Sequence, residues 1–201
     1  HPPIHPFSAT HAVQMVLRGK KGYQTKVQTT ISASLQKVAE RVLRSRREWL
    51  KEKRCDQAAL VVLDNKSLEV LALVGSMGVR DSLGGWNNGC IAYRSAGSTL
   101  KPFAYALALE EGWTASSMLR DTSRTYATPL SDYRPLNFSR VEHGPVLLRQ
   151  ALGASLNLPA VNLLKDLGVE KLFVNLKSLG LKPLKDSADH YGLGLVLGNM
   201  E

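Results

Sequence analysis

The sequence predicts an α/β fold of the α+β type, in which an antiparallel sheet is covered by helices and a helical lobe follows. Three observations carry this prediction. Two apolar runs, residues 58–63 and 68–74, are separated by a polar four-residue link, as in a hairpin. Apolar residues recur at helical spacing before this hairpin and again through residues 146–179. With 201 residues, 44% of them apolar, the chain can bury a core.

The segment before the hairpin is predicted to contain a linker, a strand and a helix. Residues 1–22 are rich in Pro, His and Gly and lack periodicity, which is typical of a linker. Residues 26–31 alternate and carry β-formers, so they predict a short strand. Ser32 is a candidate N-cap for one helix over residues 33–50. Because the hairpin is continuously apolar, we expect both of its faces to be covered.

A Ser-x-x-Lys element lies where the next helix is predicted to begin. If Ser98 opens that helix and also caps it, Lys101 lies three residues later on the same face, within reach of the hydroxyl. A lysine can remove a serine proton only if burial or a nearby cation lowers its pKa. The element therefore predicts a nucleophile beside a base, on a helix that ends at Gly112.

The second half of the chain is predicted to be mostly helical. Residues 113–144 are rich in turn formers and show no period. Helical spacing covers residues 146–152, 158–168 and 169–179, and a polar interruption at 153–157 separates the first two. The last segment, 191–198, is apolar and punctuated by Gly, so it predicts a loop or a strand.

The composition favours an anionic partner without identifying one. The formal net charge is +9, which suits nucleic acid or another anionic polymer. Much of this charge lies in residues 41–54, where it is typical of a solvated helix face. Cys55 and Cys90 match no zinc spacing, so they are free thiols or one bridge, and the five His are scattered. We therefore predict no metal site and no cofactor. No apolar run approaches the ~18 residues of a membrane span.

A second short motif, Ser155-Leu156-Asn157, occupies the polar interruption between two helices. With Ser98 and Lys101 it resembles the serine acyl-transferases that include penicillin-binding proteins and β-lactamases. The wider match is to the transpeptidase domain of class A, bifunctional penicillin-binding proteins, and it covers residues 26–201. Six segments carry it: 29–36, 61–64, 69–75, 97–102, 144–152 and 155–161.

The resemblance implies a role for each motif residue. Ser98 would be the acylated nucleophile, and its N–H would form half of an oxyanion hole. Lys101 would be the base, Ser155 would shuttle the proton, and Asn157 would bind the substrate amide and orient Lys101. The implied fold is that of the penicillin-binding protein and β-lactamase transpeptidases. The implied donor is a D-Ala-D-Ala peptidoglycan stem peptide, on the periplasmic face of a bacterial inner membrane, with β-lactams as inhibitors and no nucleic acid.

Two departures from the family pattern shape further expectations. The 201 residues contain no Lys-Thr-Gly or Lys-Ser-Gly, the family's third motif. We expect residues 1–25 to be a linker after a missing glycosyltransferase domain and membrane anchor, and residues 26–201 to be the N-terminal part of a transpeptidase domain. Such a piece would be catalytically impaired, and it could self-associate through an unpaired sheet edge.

Two other functions stay open at this point. The chain could be a β-lactam sensor or non-catalytic binding module, which would be acylated without transferring the acyl group to an amine. It could also be a basic nucleic-acid binder, whose affinity would fall steeply with salt.

Overall fold

The computed structural model describes residues 9–18, 26–78, 84–127, 132–181 and 184–198. These residues form two compact units, which divide between Ala92 and Tyr93. Unit 1 contains three helices and a hairpin: α1 (Thr10–Arg18), α2 (Ala33–Ser45), α3 (Arg47–Glu52), β1 (Leu60–Leu63) and β2 (Val70–Val74).

The predicted hairpin is confirmed. β1 pairs with β2 antiparallel, with Leu60 opposite Val74. In the link, Asp64 Oδ1 accepts hydrogen bonds from the N–H groups of Lys66 and Ser67, and these bonds hold the pKa of Asp64 below its ordinary value. Helix α2 packs on β2. This small core comprises Ala39, Leu43, Ala72, Val74 and Met77.

The expectation that both faces of the hairpin are covered holds for the end of β2, where the consecutive residues 72–74 are all buried, but it fails for β1. Val61 and Leu63 of β1 are 43% and 53% exposed. Their alternation with half-buried Leu60 and Val62 is the period-two pattern of a strand with one solvated face. A continuously apolar run therefore did not distinguish a two-sided strand from a one-sided one.

Two predictions before the hairpin need correction. Residues 26–31 form no strand. Instead, Thr30 Oγ1 and the N–H of Ser32 donate to carbonyls of β2. The helix begins as predicted, with Ser32 as its N-cap, but it is broken at Arg46 into α2 and α3. Within the predicted linker, Thr10–Arg18 form helix α1, in which His11 and Ala12 are buried.

Unit 2 is built mainly from helices. It begins with a 3₁₀ turn at Gly97–Leu100 and ends with a 3₁₀ segment at Gly192–Leu197. Its helices are α4 (Lys101–Glu110), α5 (Leu148–Gly153), α6 (Asn157–Leu167), α7 (Val169–Ser178) and α8 (Ala188–Tyr191). Its strands are β3 (Met118–Asp121), β4 (Tyr126–Ala127), β5 (Asp132–Tyr133) and β6 (Gly144–Leu147).

Helix α6 is the centre of unit 2, packed against α4, β3 and the final 3₁₀ segment. Its buried side chains join a core that also draws on α4 and α7, including Ala104, Ala108 and Leu172. The helices predicted over residues 98–112, 158–168 and 169–179 are confirmed, with observed bounds Lys101–Glu110, Asn157–Leu167 and Val169–Ser178.

Three predictions in unit 2 were wrong. The turn-rich stretch contains β3, which pairs antiparallel with β6, so Met118 lies opposite Leu147. Residues 144–147 are therefore strand, and the helix predicted from 146 begins at Leu148. The segment predicted as loop or strand, 191–198, is the end of α8 followed by the 3₁₀ segment. A four-residue strand is too short to display a clear period.

The basic run and the cysteines have ordinary surroundings. Arg41, Arg44 and Arg47 are solvent-facing or only partly buried, as expected for a solvated helix face. Cys55 and Cys90 are free thiols, and burial raises the pKa of Cys90. In the described ranges, no helix has the length and hydrophobicity needed to span a bilayer.

Candidate active site

Ser98 lies in the 3₁₀ turn immediately before α4. The N–H of Lys101 donates to the Ser98 carbonyl, and side chains three residues apart eclipse one another in a 3₁₀ helix. This register places Ser98 and Lys101 one 3₁₀ turn apart. Ser98 does not cap the helix, because α4 begins three residues later, after Leu100, without a side-chain cap. Its side chain is exposed, and Ser98 Oγ makes no hydrogen bond among the described residues.

The amine of Lys101 is buried and fully hydrogen-bonded. Lys101 is 1% exposed, and its Nζ donates to Ser155 O at 2.5 Å, Asn157 Oδ1 at 2.7 Å and Ser155 Oγ at 3.3 Å. These three acceptors use all three protons of an ammonium group. Burial lowers the pKa of Lys101 to about 8. About a tenth of the molecules would then carry a neutral amine at pH 7, against about one in three thousand at an ordinary lysine pKa.

The neutral form of this amine can act as a base. It would keep two donor bonds, which the short contacts to Ser155 O and Asn157 Oδ1 can accept. Its lone pair would then be free to accept a proton from a nearby hydroxyl, and Ser155 Oγ already lies at 3.3 Å. The geometry therefore provides a proton path between Lys101 and Ser155.

Ser155 occupies a left-handed conformation after α5, with φ at +51°. The N–H of Ser155 donates to Leu152 O and the N–H of Leu156 donates to Ala151 O, which together form a Schellman motif. Glycine is the usual residue at this position because a Cβ is disfavoured there. The same residue supplies the carbonyl that accepts from Lys101, so the turn sets the direction of that acceptor.

Asn157 is the first residue of α6, and both the oxygen and the nitrogen of its side-chain amide are hydrogen-bonded. Its Oδ1 accepts from Lys101, and its Nδ2 donates to Leu136 O at 2.9 Å. The side-chain amide cannot rotate without losing both bonds. Three of the four predicted residues, Lys101, Ser155 and Asn157, are thus in direct contact.

Two further residues join this cluster, and sequence reasoning did not assign them to it. Asn137 Oδ1 accepts from the N–H of Asn157 at 2.9 Å and of Leu158 at 3.2 Å. Asn137 Nδ2 donates to the carboxylate of Asp121 at 2.6 Å. Both residues lie in the turn-rich stretch, where a polar residue without periodicity gives no sign that it will be buried.

The 3₁₀ turn that carries Ser98 is in close contact with the last described segment. Ser95 Oγ donates to Gly198 O at 2.7 Å. Gly198 has φ at +86°, and a Cβ built on it would lie 2.0 Å from Gly97 N. The backbone that carries Ser98 therefore needs a glycine opposite it.

The sequence profile described as penicillin binding protein transpeptidase domain matches residues 58–193. The chain is 36% identical to penicillin-binding protein 1C of Escherichia coli, over 89% of this chain and 23% of that protein. It therefore spans under a quarter of that relative's length.

Solved structures agree with this match. Penicillin-binding protein 1A of Haemophilus influenzae superimposes with a TM-score of 0.60 at 30% identity, over 71% of this chain and 21% of that one. Penicillin-binding protein A of Mycobacterium tuberculosis, solved as an imipenem acyl-enzyme complex, has a TM-score of 0.69 at 22% identity, over 94% of this chain and 51% of that one. The second likeness concerns the fold alone. With the predicted motifs and fold in place, the chain belongs to the penicillin-binding protein transpeptidase family.

Proposed function

We propose that this chain carries the acyl-transfer centre of a D,D-transpeptidase that cross-links peptidoglycan stem peptides through Ser98. The observation that supports it most is the buried Lys101 amine, held between Ser155 and Asn157 with its pKa lowered to about 8. A lysine committed only to structure would gain nothing from a depressed pKa, whereas a general base must be partly neutral at working pH.

The proposed reaction has two steps. Ser98 Oγ attacks the carbonyl carbon of the penultimate D-Ala of a stem peptide, and its proton passes to neutral Lys101. The C–N bond to the terminal D-Ala then breaks, and Ser155 passes the proton to the leaving amine. An amine from a neighbouring stem peptide attacks the Ser98 ester, which releases the cross-linked peptide and restores the hydroxyl. Asn157 would contact the substrate amide, and the N–H of Ser98 would bind the oxyanion, a contribution of roughly 3 kcal/mol per donor.

The proposed partners and location follow from the family. β-Lactams would acylate Ser98, by analogy with the imipenem acyl-enzyme of penicillin-binding protein A. The protein would act at the periplasmic face of a bacterial inner membrane and would be anchored there, with residues 1–25 linking to a glycosyltransferase domain and residues 26–201 forming the N-terminal part of the transpeptidase domain. On its own the chain would be impaired and could self-associate through an unpaired sheet edge.

A second candidate, from another class, is a β-lactam sensor or non-catalytic binding module, which would keep the acylation motif of Ser98 and Lys101. Such a protein would be acylated at Ser98 but would not transfer the acyl group.

The test is labelling with a fluorescent penicillin, in the full-length gene product and in the 201-residue chain. We expect labelling of the full-length protein to be lost in Ser98→Ala and retained in Ser178→Ala, which removes an exposed serine from α7. We expect the isolated chain to label more slowly. Labelling that survives Ser98→Ala would refute Ser98 as the nucleophile.

A second measurement separates the two candidates. An amine acceptor and a thioester donor are added to the full-length protein, and the transfer product is measured. Acyl transfer that requires Ser98 supports the transpeptidase. Labelling without transfer would instead favour the sensor.

A further inference from the structure

We propose that Asn137 and Asp121 are positioning residues, a buried amide and carboxylate that fix Asn157 and, through it, the amine of Lys101. This inference rests on the proposed function. It assigns a task in acyl transfer to two residues that lie outside the short motifs, on the loop and strand before α5.

The first step concerns how helix α6 begins. The first N–H groups of a helix lack partners within it, and the residue at the N-cap usually supplies an acceptor. In α6 the N-cap is Leu156, which has no side-chain acceptor. Asn137 takes its place from 20 residues away, because its Oδ1 accepts from Asn157 and Leu158. Asn137 therefore fixes where the first residue of α6 lies.

The second step concerns the amide of Asn137 itself. Its Oδ1 accepts two hydrogen bonds, and its Nδ2 donates to Asp121 Oδ1 at 2.6 Å and Val141 O at 2.8 Å. All four hydrogen-bond positions of the amide are occupied, and Asn137 is buried. A side chain of another shape or donor pattern cannot satisfy these partners.

The third step concerns Asp121, whose carboxylate orients that amide. Asp121 is fully buried, and it accepts from Asn137 as well as from the N–H of His143 at 2.9 Å. His143 Nδ1 lies 2.5 Å from Asp121 Oδ2 and donates there when it carries the proton. A buried carboxylate is costly unless it is hydrogen-bonded in this way. The negative charge of Asp121 also polarises the Asn137 amide, which makes Asn137 Oδ1 a stronger acceptor for the N–H groups at the positive, N-terminal end of α6.

The last step leads from Asn157 to the base. Asn157 Oδ1 and Ser155 O are the two short acceptors of Lys101, and they come from different elements. Ser155 is fixed by its own turn, whereas Asn157 is fixed by Asn137 through the backbone and by Leu136 O through its side chain. Loosening Asn137 should therefore displace one of the two short acceptors of the amine. A displacement of about 1 Å in such a site can cost roughly 10²-fold in rate.

The experiment measures acylation by a fluorescent penicillin under pre-steady-state conditions in the full-length gene product. The amplitude gives the fraction of molecules able to react, and the time course gives the rate constant of acylation and the dissociation constant of the non-covalent complex. A residue with a purely structural role changes the amplitude through the folded population. A positioning residue lowers the rate constant of the molecules that remain folded.

We expect Asn137→Ser, a small change that keeps one acceptor, to lower the acylation rate constant about 10-fold to 100-fold at unchanged amplitude and dissociation constant. The matched control is Gln36→Ser, which shortens a buried amide of unit 1 that bonds the backbone of Leu73 and the side chain of Glu40. The control should leave the rate constant unchanged. An Asn137→Ser protein that reacts at the wild-type rate would overturn the proposal.

An exchange of the two groups gives a stricter test. Asn137→Asp alone places two carboxylates together, and Asp121→Asn alone leaves one of its partners without an acceptor. In the double variant, the carboxylate at 137 can accept from the helix and from the amide at 121. We expect each single variant to lose about 10-fold or more in rate and the double variant to recover to within about fivefold of wild type. A double variant no faster than either single variant contradicts the pairing.

A measurement that requires no acylation separates this inference from the proposed function. The titration of Lys101 is followed by NMR, with Lys101→Met to assign its signal. Burial is what lowers the pKa of Lys101. If Asn137→Ser lets Asn157 move and water enter, the midpoint should rise by about half a unit or more. An unchanged midpoint refutes the positioning role. Absence of labelling in the wild-type protein would refute the proposed function alone.

Discussion

The two units of the chain use buried polar side chains for different ends. In unit 1, Gln36 of α2 pairs with both the N–H and the carbonyl of Leu73, so an amide completes the hydrogen bonding of a strand. In unit 2, the amides of Asn157 and Asn137 lead to a buried amine and a buried carboxylate. The first arrangement satisfies the backbone. The second holds charged groups where they would otherwise be costly to bury.

The hydrophobic cores of the two units also differ, in their size. Among the described residues, the cluster in unit 1 has five buried apolar members, whereas that in unit 2 has twenty. Unit 1 also leaves Trp49, Val61 and Leu63 largely exposed. A charged centre such as that around Lys101 needs a rigid, well-packed surrounding to keep its geometry. The comparison indicates that the packing of unit 2 supports the site as well as the fold.

The largest expected effect is on the free energy of unfolding, and it differs between a glycine of unit 2 and a glycine of unit 1. A Cβ at Gly198 of unit 2 would lie 2.0 Å from the backbone of Gly97 and would also require a disfavoured φ of +86°. A Cβ at Gly75 of unit 1 would meet side-chain atoms of Asn88 and His11 at 2.5 and 2.6 Å. Side chains can move aside more easily than backbone. We expect Gly198→Ala to cost about 3–5 kcal/mol and Gly75→Ala about 1–3 kcal/mol of the free energy of unfolding.

Hydrogen exchange with mass spectrometry can check this prediction, because it follows each unit through its own peptides. Gly198→Ala should raise exchange in residues 93–127 and abolish penicillin labelling of Ser98. Gly75→Ala should raise exchange in peptides of unit 1. Equal effects of the two substitutions in all peptides would show that backbone contact at Gly97 is not special.

The second prediction concerns the pH dependence of stability. Lys101 in unit 2 and Cys90 in unit 1 should change the free energy of unfolding in opposite directions as pH rises. The pKa of Lys101 is lowered to about 8, so between about pH 8 and 10.5 the unfolded state binds more protons than the folded state. Stability from this group should therefore rise with pH, by about 3 kcal/mol across that window. The pKa of Cys90 in unit 1 is raised by burial, so its contribution should fall as pH rises above the ordinary thiol value.

Urea unfolding from pH 7 to 10 measures both effects by difference. Wild type should gain stability relative to Lys101→Met as pH rises, and should lose it relative to Cys90→Ala. The same range should show the acylation rate rising with a midpoint near pH 8, since neutral Lys101 is the proposed base. Parallel pH curves for wild type and Lys101→Met would contradict the lowered pKa.

The residues that could be predicted from the sequence are those marked by short-range patterns. The polar link at 64–67 between two apolar runs predicted the hairpin, and the Ser-x-x-Lys and Ser-x-Asn patterns identified the four candidate residues. Contact among Lys101, Ser155 and Asn157 was expected only because the resemblance implied it. Nothing in their spacing required two residues more than 50 positions away to surround one amine.

The features that could not be predicted depend on long-range pairing. β3 and β6 are four residues each and are far apart in the sequence, so neither shows a period and neither has its partner nearby. Asn137 and Asp121 were seen only as turn formers, because their burial comes from tertiary contacts with α6 and His143. The role of Ser98 as a cap was wrong for a local reason, since a 3₁₀ turn intervenes before α4.

The smallest expected effect concerns Ser155, a serine in a left-handed turn position where glycine is favoured. Its φ of +51° suits glycine, so Ser155→Gly should stabilise unit 2 by up to about 1 kcal/mol while it removes the hydroxyl beside Lys101. Leu68 of unit 1 is a matched control, because it has φ at +59° in an exposed turn. Leu68→Gly should give a similar gain in thermal stability without changing penicillin labelling. Ser155→Gly should instead slow labelling and acyl transfer, because the proton path through Ser155 Oγ is lost. A Ser155→Gly protein that keeps wild-type transfer would assign this serine to the turn alone and would leave Lys101 and Asn157 as the working pair.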